Sequence, residues 1–141
     1  MKLLVNRSEY SDDKFIQWLI DIIRIRLSTV INFRRLKRLE NYYNEEIVPE
    51  QEGSSEINLS QIFVYILNNF VYFKTKQYYY ITINNKKFLP GTHLSLYDIA
   101  MYINYGNQDV PGYPIFTDVF NDIISNIEDY YRWYARERGA V

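Results

Sequence analysis

The sequence predicts an α+β fold: a single domain over residues 1–141 with a long N-terminal helix, a small antiparallel sheet, a short helix and a C-terminal helix. Three observations predict it. An uninterrupted run with helical period follows Asp12, a Tyr-rich segment alternates near the middle, and a second helical run closes the chain. With 141 residues, such a domain buries roughly two-thirds of its unfolded surface in one core. A hydrophobic share of 48% against 23% charged residues excludes a disordered tail.

The first helix starts at Ser11, whose hydroxyl can cap it, and Asp12 and Asp13 follow near the positive end of the helix dipole. No Gly or Pro interrupts the run before about Asn44. At 100° per residue, Phe15, Trp18, Leu19, Ile22, Ile25, Thr29, Phe33 and Leu36 fall on one stripe, which reads as core. Ile16, Ile20, Ile23, Leu27 and Ile31 lie beside it, and beyond Leu27 that second side turns basic with Arg34, Arg35 and Arg38, with Arg24 close by. A helix of about thirty residues spans roughly 45 Å. That length predicts packing against another chain.

Charge then reverses. Six basic residues and no acids lie from Arg24 to Arg38, and six acids and no bases from Glu40 to Glu56. Residues 45–57, with Glu45, Glu46, Glu50 and Glu52, read as an acidic loop in which Pro49 ends any preceding helix. Residues 57–74 keep helical spacing through Leu59, Ile62, Phe63, Ile66, Leu67 and Phe70, with Asn58 and Gln61 placed as a capping box. They predict a helix to about Asn69 and then a strand, with a hairpin turning at Asn68-Asn69 as the alternative.

Gln77 to Ile83 is the clearest strand, and its Tyr78-Tyr79-Tyr80 run must send one or two rings away from the core. Asn84-Asn85 reads as a turn after which Lys86 to Leu89 pairs back, and Pro90-Gly91 closes the sheet portion. Ser95 caps a short helix to about Tyr105, Gly106 terminates it, and Asn107 to Pro114 is irregular. In the last helix Phe116, Phe120, Ile123, Ile124, Ile127, Tyr131 and Tyr134 recur at three and four, with Thr117 as cap and Gly139 as stop.

Chemistry is sparse. There is no Cys, which excludes disulfides and thiolate sites, and the one histidine, His93, reads as a turn residue. Asp98 and Asp109 are better used as a helix-start acid and a loop residue than as a catalytic pair. The expectation is a protein with no catalytic, cofactor-binding or metal-binding residues. The start, Met1 to Arg7, is too short an apolar stretch for a signal peptide, and Asp21, Arg24 and Arg26 interrupt Phe15–Phe33, so neither a leader nor a membrane span is expected.

The basic stripe carries three readings: a nucleic-acid track with Tyr42 and Tyr43 as stacking surfaces, a solvated or salt-bridged face answered by the acids that follow it, or a docking surface for an acidic neighbour. Sixteen Lys+Arg against seventeen Asp+Glu, a net charge of −1, place nucleic acid last. Fifteen Tyr suit wet, specific contact surfaces.

Tyr80-Ile81-Thr82-Ile83, Leu96 to Gly106, and Val110-Pro111-Gly112-Tyr113-Pro114-Ile115-Phe116 before a closing helix carry a resemblance. Together they resemble tailed-phage neck and tail-completion proteins, the head–tail connectors of the HK97 gp10-like and Mu-type virion morphogenesis groups. Those chains have a strand, a short helix ending in an aromatic-Gly pair such as Tyr105-Gly106, an "I-P-x-R-P-F" turn and a closing helix. Tyr113 stands where the family carries Arg, and Ile115 separates Pro114 from Phe116.

The resemblance implies a structural virion protein, made in the bacterial host cytoplasm, that forms a ring of six or twelve copies. Its partners would be itself, portal or adaptor proteins and tail proteins, with nucleic acid only passing through the ring. Tyr105, Pro111, Tyr113 and Phe116 would lie at interfaces. The basic stripe and the acidic loop are expected to meet across neighbouring subunits. A small non-enzymatic interaction or regulatory protein is the alternative, and a module binding nucleic acid through the basic helix face comes after it.

Overall fold

A computed structural model describes residues 1–51, 55–89 and 92–138, and among them the chain is α+β. Strand β1 (Leu3–Asn6) leads into α1 (Asp13–Val30) and α2 (Phe33–Tyr42), followed by a wide π-type turn over Tyr43–Ile47 and a 3-10 turn over Val48–Glu50. Then come α3 (Leu59–Leu67), β2 (Phe70–Lys74), β3 (Tyr78–Ile83), α4 (Leu96–Tyr105), α5 (Ile115–Ser125) and α6 (Ile127–Glu137).

The sheet has the order β1-β3-β2 and is antiparallel throughout, with Leu3 opposite Ile81 and Phe70 opposite Ile83. Burial alternates along it as a two-residue period demands. Leu3, Val5, Tyr79, Ile81 and Ile83 face a core closed by α1, α4 and α5, whereas Leu4, Tyr78 and Tyr80 face outward. One ring of the tyrosine run is therefore inside and two are outside. Strand β1 is not signalled by the sequence, because four residues carry too short an alternation to distinguish.

The expected helix from residue 12 to residue 44 is two helices. Its cap is Asp12 rather than Ser11: the Asp12 carboxylate accepts the N–H of Lys14 at 3.0 Å and of Phe15 at 3.4 Å. The break falls at Ile31 and Asn32, which leave the helical region (ψ 132° and 106°), and the Asn32 side chain accepts the N–H of Arg34 and Arg35. The core stripe also shifts sides. Phe15, Leu19 and Ile22 are buried as expected, but burial then continues through Ile23 and Leu27, while Ile25 and Phe33 are 59% and 55% exposed. Two adjoining apolar stripes offered a choice, and packing on α5 and the sheet selected the second beyond Ile22.

Pro49 does not end the helical path. It sits early in the 3-10 turn, where its missing N–H costs nothing. The helix-then-strand reading of 57–74 holds, with the Asn58 side chain accepting the Gln61 N–H at 3.1 Å. Lys86 to Leu89 does not return to the sheet. Leu89 and Lys87 instead bond to Leu94 and Leu96, with Phe88 bridged to Ser95. The expected last helix is divided at Asn126 into α5 and α6. Pro90, Gly91 and Gly139, read above as breakers, lie outside the described residues.

Candidate functional site

Of the residues singled out by charge, Arg24 lies on α1 and the other described ones sit on α2 and the turns after it. Leu36 and Leu39 are buried, so the opposite side of α2 presents Arg34, Arg35, Lys37 and Arg38 to solvent. Glu40, first of the acids, is not part of that surface. It is 5% exposed, accepts the Leu59 N–H at 2.8 Å, and pairs with Lys37. A carboxylate there answers the orphan donors and positive dipole at the start of α3.

Glu45 and Glu46 lie in the π-type turn and Glu50 in the 3-10 turn, all exposed; Glu52 lies outside the described residues. The acidic segment therefore begins as a helical extension of α2 rather than as loop. Asn44 clamps its base, donating to the Ile57 carbonyl at 3.0 Å and accepting the Ile57 N–H at 2.8 Å.

Among the described residues the two charge blocks do not neutralise each other. Lys37–Glu40 is the one ion pair joining them. Arg24 pairs with Asp21 at 3.1 Å, and Arg26 with Asp122 at 2.7 Å. Arg34 and Arg38 make no ion pair there, nor do Glu45, Glu46 and Glu50. This arrangement disfavours a face salt-bridged within its own chain and fits either a solvated face or a docking surface. Tyr42 and Tyr43 are not free stacking surfaces either: Tyr43 is buried with its ring against Tyr102, and the Tyr42 hydroxyl meets the Asp109 carboxylate at 3.2 Å. Burial, with Tyr42 and Tyr43 nearby, pushes the Tyr102 hydroxyl well above its ordinary pKa, so it stays protonated and donates to the Leu39 carbonyl at 2.7 Å.

The segment that carried the family resemblance divides between surface and core. Tyr105 is 54% exposed and Pro111 is exposed, so both are available as contacts. Phe116 is fully buried with its ring 6.0 Å from Phe63, which makes it a core anchor of α5 and corrects its placement at an interface.

Tyr113 is also buried, and its task is internal. Its hydroxyl accepts the Asn32 N–H at 2.9 Å and donates to the Val30 carbonyl at 3.2 Å, spanning the break between α1 and α2. The Arg35 guanidinium lies 4.1 Å from the centre of the same ring, a cation–π contact. Two backbone crossings hold the loop that delivers Tyr113. Gly106, at φ +66°, passes so close to Val110 that a Cβ would meet its carbonyl oxygen at 2.1 Å. A Cβ on Gly112 would lie 2.4 Å from the Tyr105 backbone.

Asn104 is a residue the sequence reading missed. It is 2% exposed; its carboxamide oxygen accepts the N–H of Phe116 and Thr117, and its nitrogen donates to the Thr117 hydroxyl at 2.7 Å. It caps α5 from α4, so Thr117 is not the cap. The available signal was a polar residue at a buried position of the α4 period.

His93 is exposed in a turn. Asp98 sits in the first turn of α4, its own N–H donated to Ser95, and Asp109 meets Tyr42, so the two carboxylates serve separate structural roles. Among the described residues, no group of three or more His, Cys, Asp or Glu is placed to hold a metal ion. No helix there is long and apolar enough to cross a membrane.

Fold and surface together define an α+β chain with a segment of opposed charge in which, among the described residues, Lys37–Glu40 is the one pair joining the two signs. Set against protein-family models, curated proteins and solved structures, the chain matches none.

Proposed function

We propose that this chain is a structural subunit that assembles with copies of itself into a ring in a phage neck, as a head–tail connector or tail-completion protein of the virion. One observation carries the reading: α2 and the turns following it expose Arg34 and Arg38, then Glu45, Glu46 and Glu50, without pairing the two sets inside the chain. A head-to-tail assembly needs two different, complementary patches on each subunit. Placed opposite each other across neighbours, these blocks supply attraction and register while repelling misaligned copies. The resemblance of residues 80–116 to neck proteins supplies the setting, with portal or adaptor and tail proteins above and below the ring.

Light scattering at physiological salt tests the pairing. Arg34→Glu with Arg38→Glu is expected to abolish assembly and leave the monomer's melting temperature unchanged. Adding Glu45→Arg and Glu46→Arg is expected to restore assembly. Arg35 is left alone because it stacks on Tyr113. Assembly that survives the double reversal would overturn this pairing, and nucleic acid co-eluting at 260 nm would favour the basic face as a nucleic-acid surface.

A further inference from the structure

We infer that the β1–α1 arm is exchanged between copies: α1 and α2 straighten into one helix at Ile31–Asn32, and the arm of each subunit docks on the body of the next. The inference deepens the self-assembly reading and rests on it for closure into a ring.

The topology permits this. Strand β1 packs on β3 and α5, and α1 on α5, α6, β2 and β3, whereas α2 packs on α3. The two halves of the helical run thus belong to different parts of the molecule, joined by Ile31 and Asn32. Apart from the Tyr113 bridge at the break, the contacts of the arm with the body can form equally well in trans. These include Leu3 opposite Ile81, Arg26 with Asp122, Trp18 Nε1 with Glu137, and the Asp12 carboxylate accepting the Tyr134 hydroxyl.

The local chemistry lowers the cost of straightening. No Gly or Pro occurs between Asp12 and Val48, and the break is two residues long. In the bent form the Asn32 N–H is held by Tyr113 and the first N–H groups of α2 by the Asn32 side chain. In a continuous helix those donors bond to carbonyls one turn earlier, and the buried group that gives up its partners is the Tyr113 hydroxyl, which favours the bend until assembly reburies the arm.

The arm's chemistry names its partner. Leu3, Val5, Phe15, Ile16, Leu19, Ile23 and Leu27 are all at most 1% exposed. A released arm must rebury them, and the surface shaped for them is the same body on a second copy. A straight helix of about thirty residues reaches roughly 45 Å, far enough to place the arm on a neighbour. Passed head to tail, such exchanges close into rings.

The test uses full-length chains. Phe33→Pro puts proline at the first position of α2, where its missing N–H is an orphan in the bent form and where Asn32 already has the extended backbone that precedes proline. It forbids the straight helix. Asn32→Ala removes the cap that favours the bend.

Light scattering is expected to show Asn32→Ala assembling at a roughly five- to tenfold lower concentration than the native chain. Phe33→Pro is expected to stay monomeric with native melting and with its charge blocks intact. Because the chain has no Cys, mixing Arg26→Cys and Asp122→Cys copies with a short bismaleimide reports the exchange directly. A heterodimer crosslink is expected in the native background and lost with Phe33→Pro. A Phe33→Pro chain that assembles and crosslinks like the native one would overturn arm exchange and leave the ring reading standing. Failure of both the native chain and Asn32→Ala to associate would overturn both.

Discussion

The helical run after Asp12 breaks at Ile31–Asn32, and the closing run breaks at Asn126. Both breaks contain an asparagine within an apolar helical period, yet they differ in what holds them. At Asn126 the chain departs from helix by one residue (φ −120°, ψ 24°), and all the bonds are local. The side-chain nitrogen donates to the Asp122 carbonyl at 2.8 Å, and the backbone N–H donates to Ile123. At Ile31–Asn32 two residues leave the helical region, and the bridging group is a hydroxyl from Tyr113, 81 residues away from Asn32. The first break is a kink written into one turn of chain. The second exists because another part of the fold reaches it.

Distant aromatics also decide where α6 goes. Tyr134 is its one buried residue; that ring sits 5.3 Å from Phe15 and 5.6 Å from Trp18, and the hydroxyl meets Asp12. The kink at Asn126 needs no such help to form, but the direction it gives α6 is useful because α1 presents these rings.

The sharpest way to break this comparison is to disturb the loop that carries Tyr113. Gly106→Ala forces a side chain onto a backbone conformation at φ +66° and against the Val110 oxygen, so a loss of more than about 3 kcal/mol is expected in urea denaturation. A loss under about 1 kcal/mol would show that the loop can move and that Tyr113 is not held by it.

A smaller effect is expected from Tyr113→Phe, which keeps the ring and its contact with Arg35 but strands the Asn32 N–H and the Val30 carbonyl. Its cost should be about 1–3 kcal/mol. Hydrogen exchange should then quicken at residues 30–35 and remain unchanged in α6.

Smallest of all, Asn126→Ala loses exposed local bonds and gains helix propensity, so stability should change by no more than about 0.5 kcal/mol. A far-ultraviolet dichroism gain, marking fusion of α5 and α6, would accompany it. A loss above about 2 kcal/mol would mean that this break, too, is held by the fold.

Much of the local structure was legible. Asn58 and Ser95 cap the helices they precede, β3 alternates as its sequence does, and Gly106 stops α4 with positive φ. Each of these signals operates within one turn or one strand. The charge reversal after Arg38 was equally plain. The fate of the charges was not. The run of acids groups Glu40, drawn inside to cap α3, with Glu45, left in solvent, although Glu40 follows the buried Leu36 by one helical turn. Nor could spacing alone place Tyr113 and Phe116 inside, or give Asn104 its task at the start of α5.

Composition and pattern by themselves determined the α+β class, the caps at Asn58 and Ser95, the strand alternation and the opposed charge blocks, because those follow from neighbours a few residues apart. Where the first helix breaks, which of its two apolar stripes is buried, and which charges remain unpaired were decided only when distant segments met. Periodicity offers a helix more than one face to bury. Only a partner of definite shape, here α5, the sheet and one tyrosine hydroxyl, selects among them.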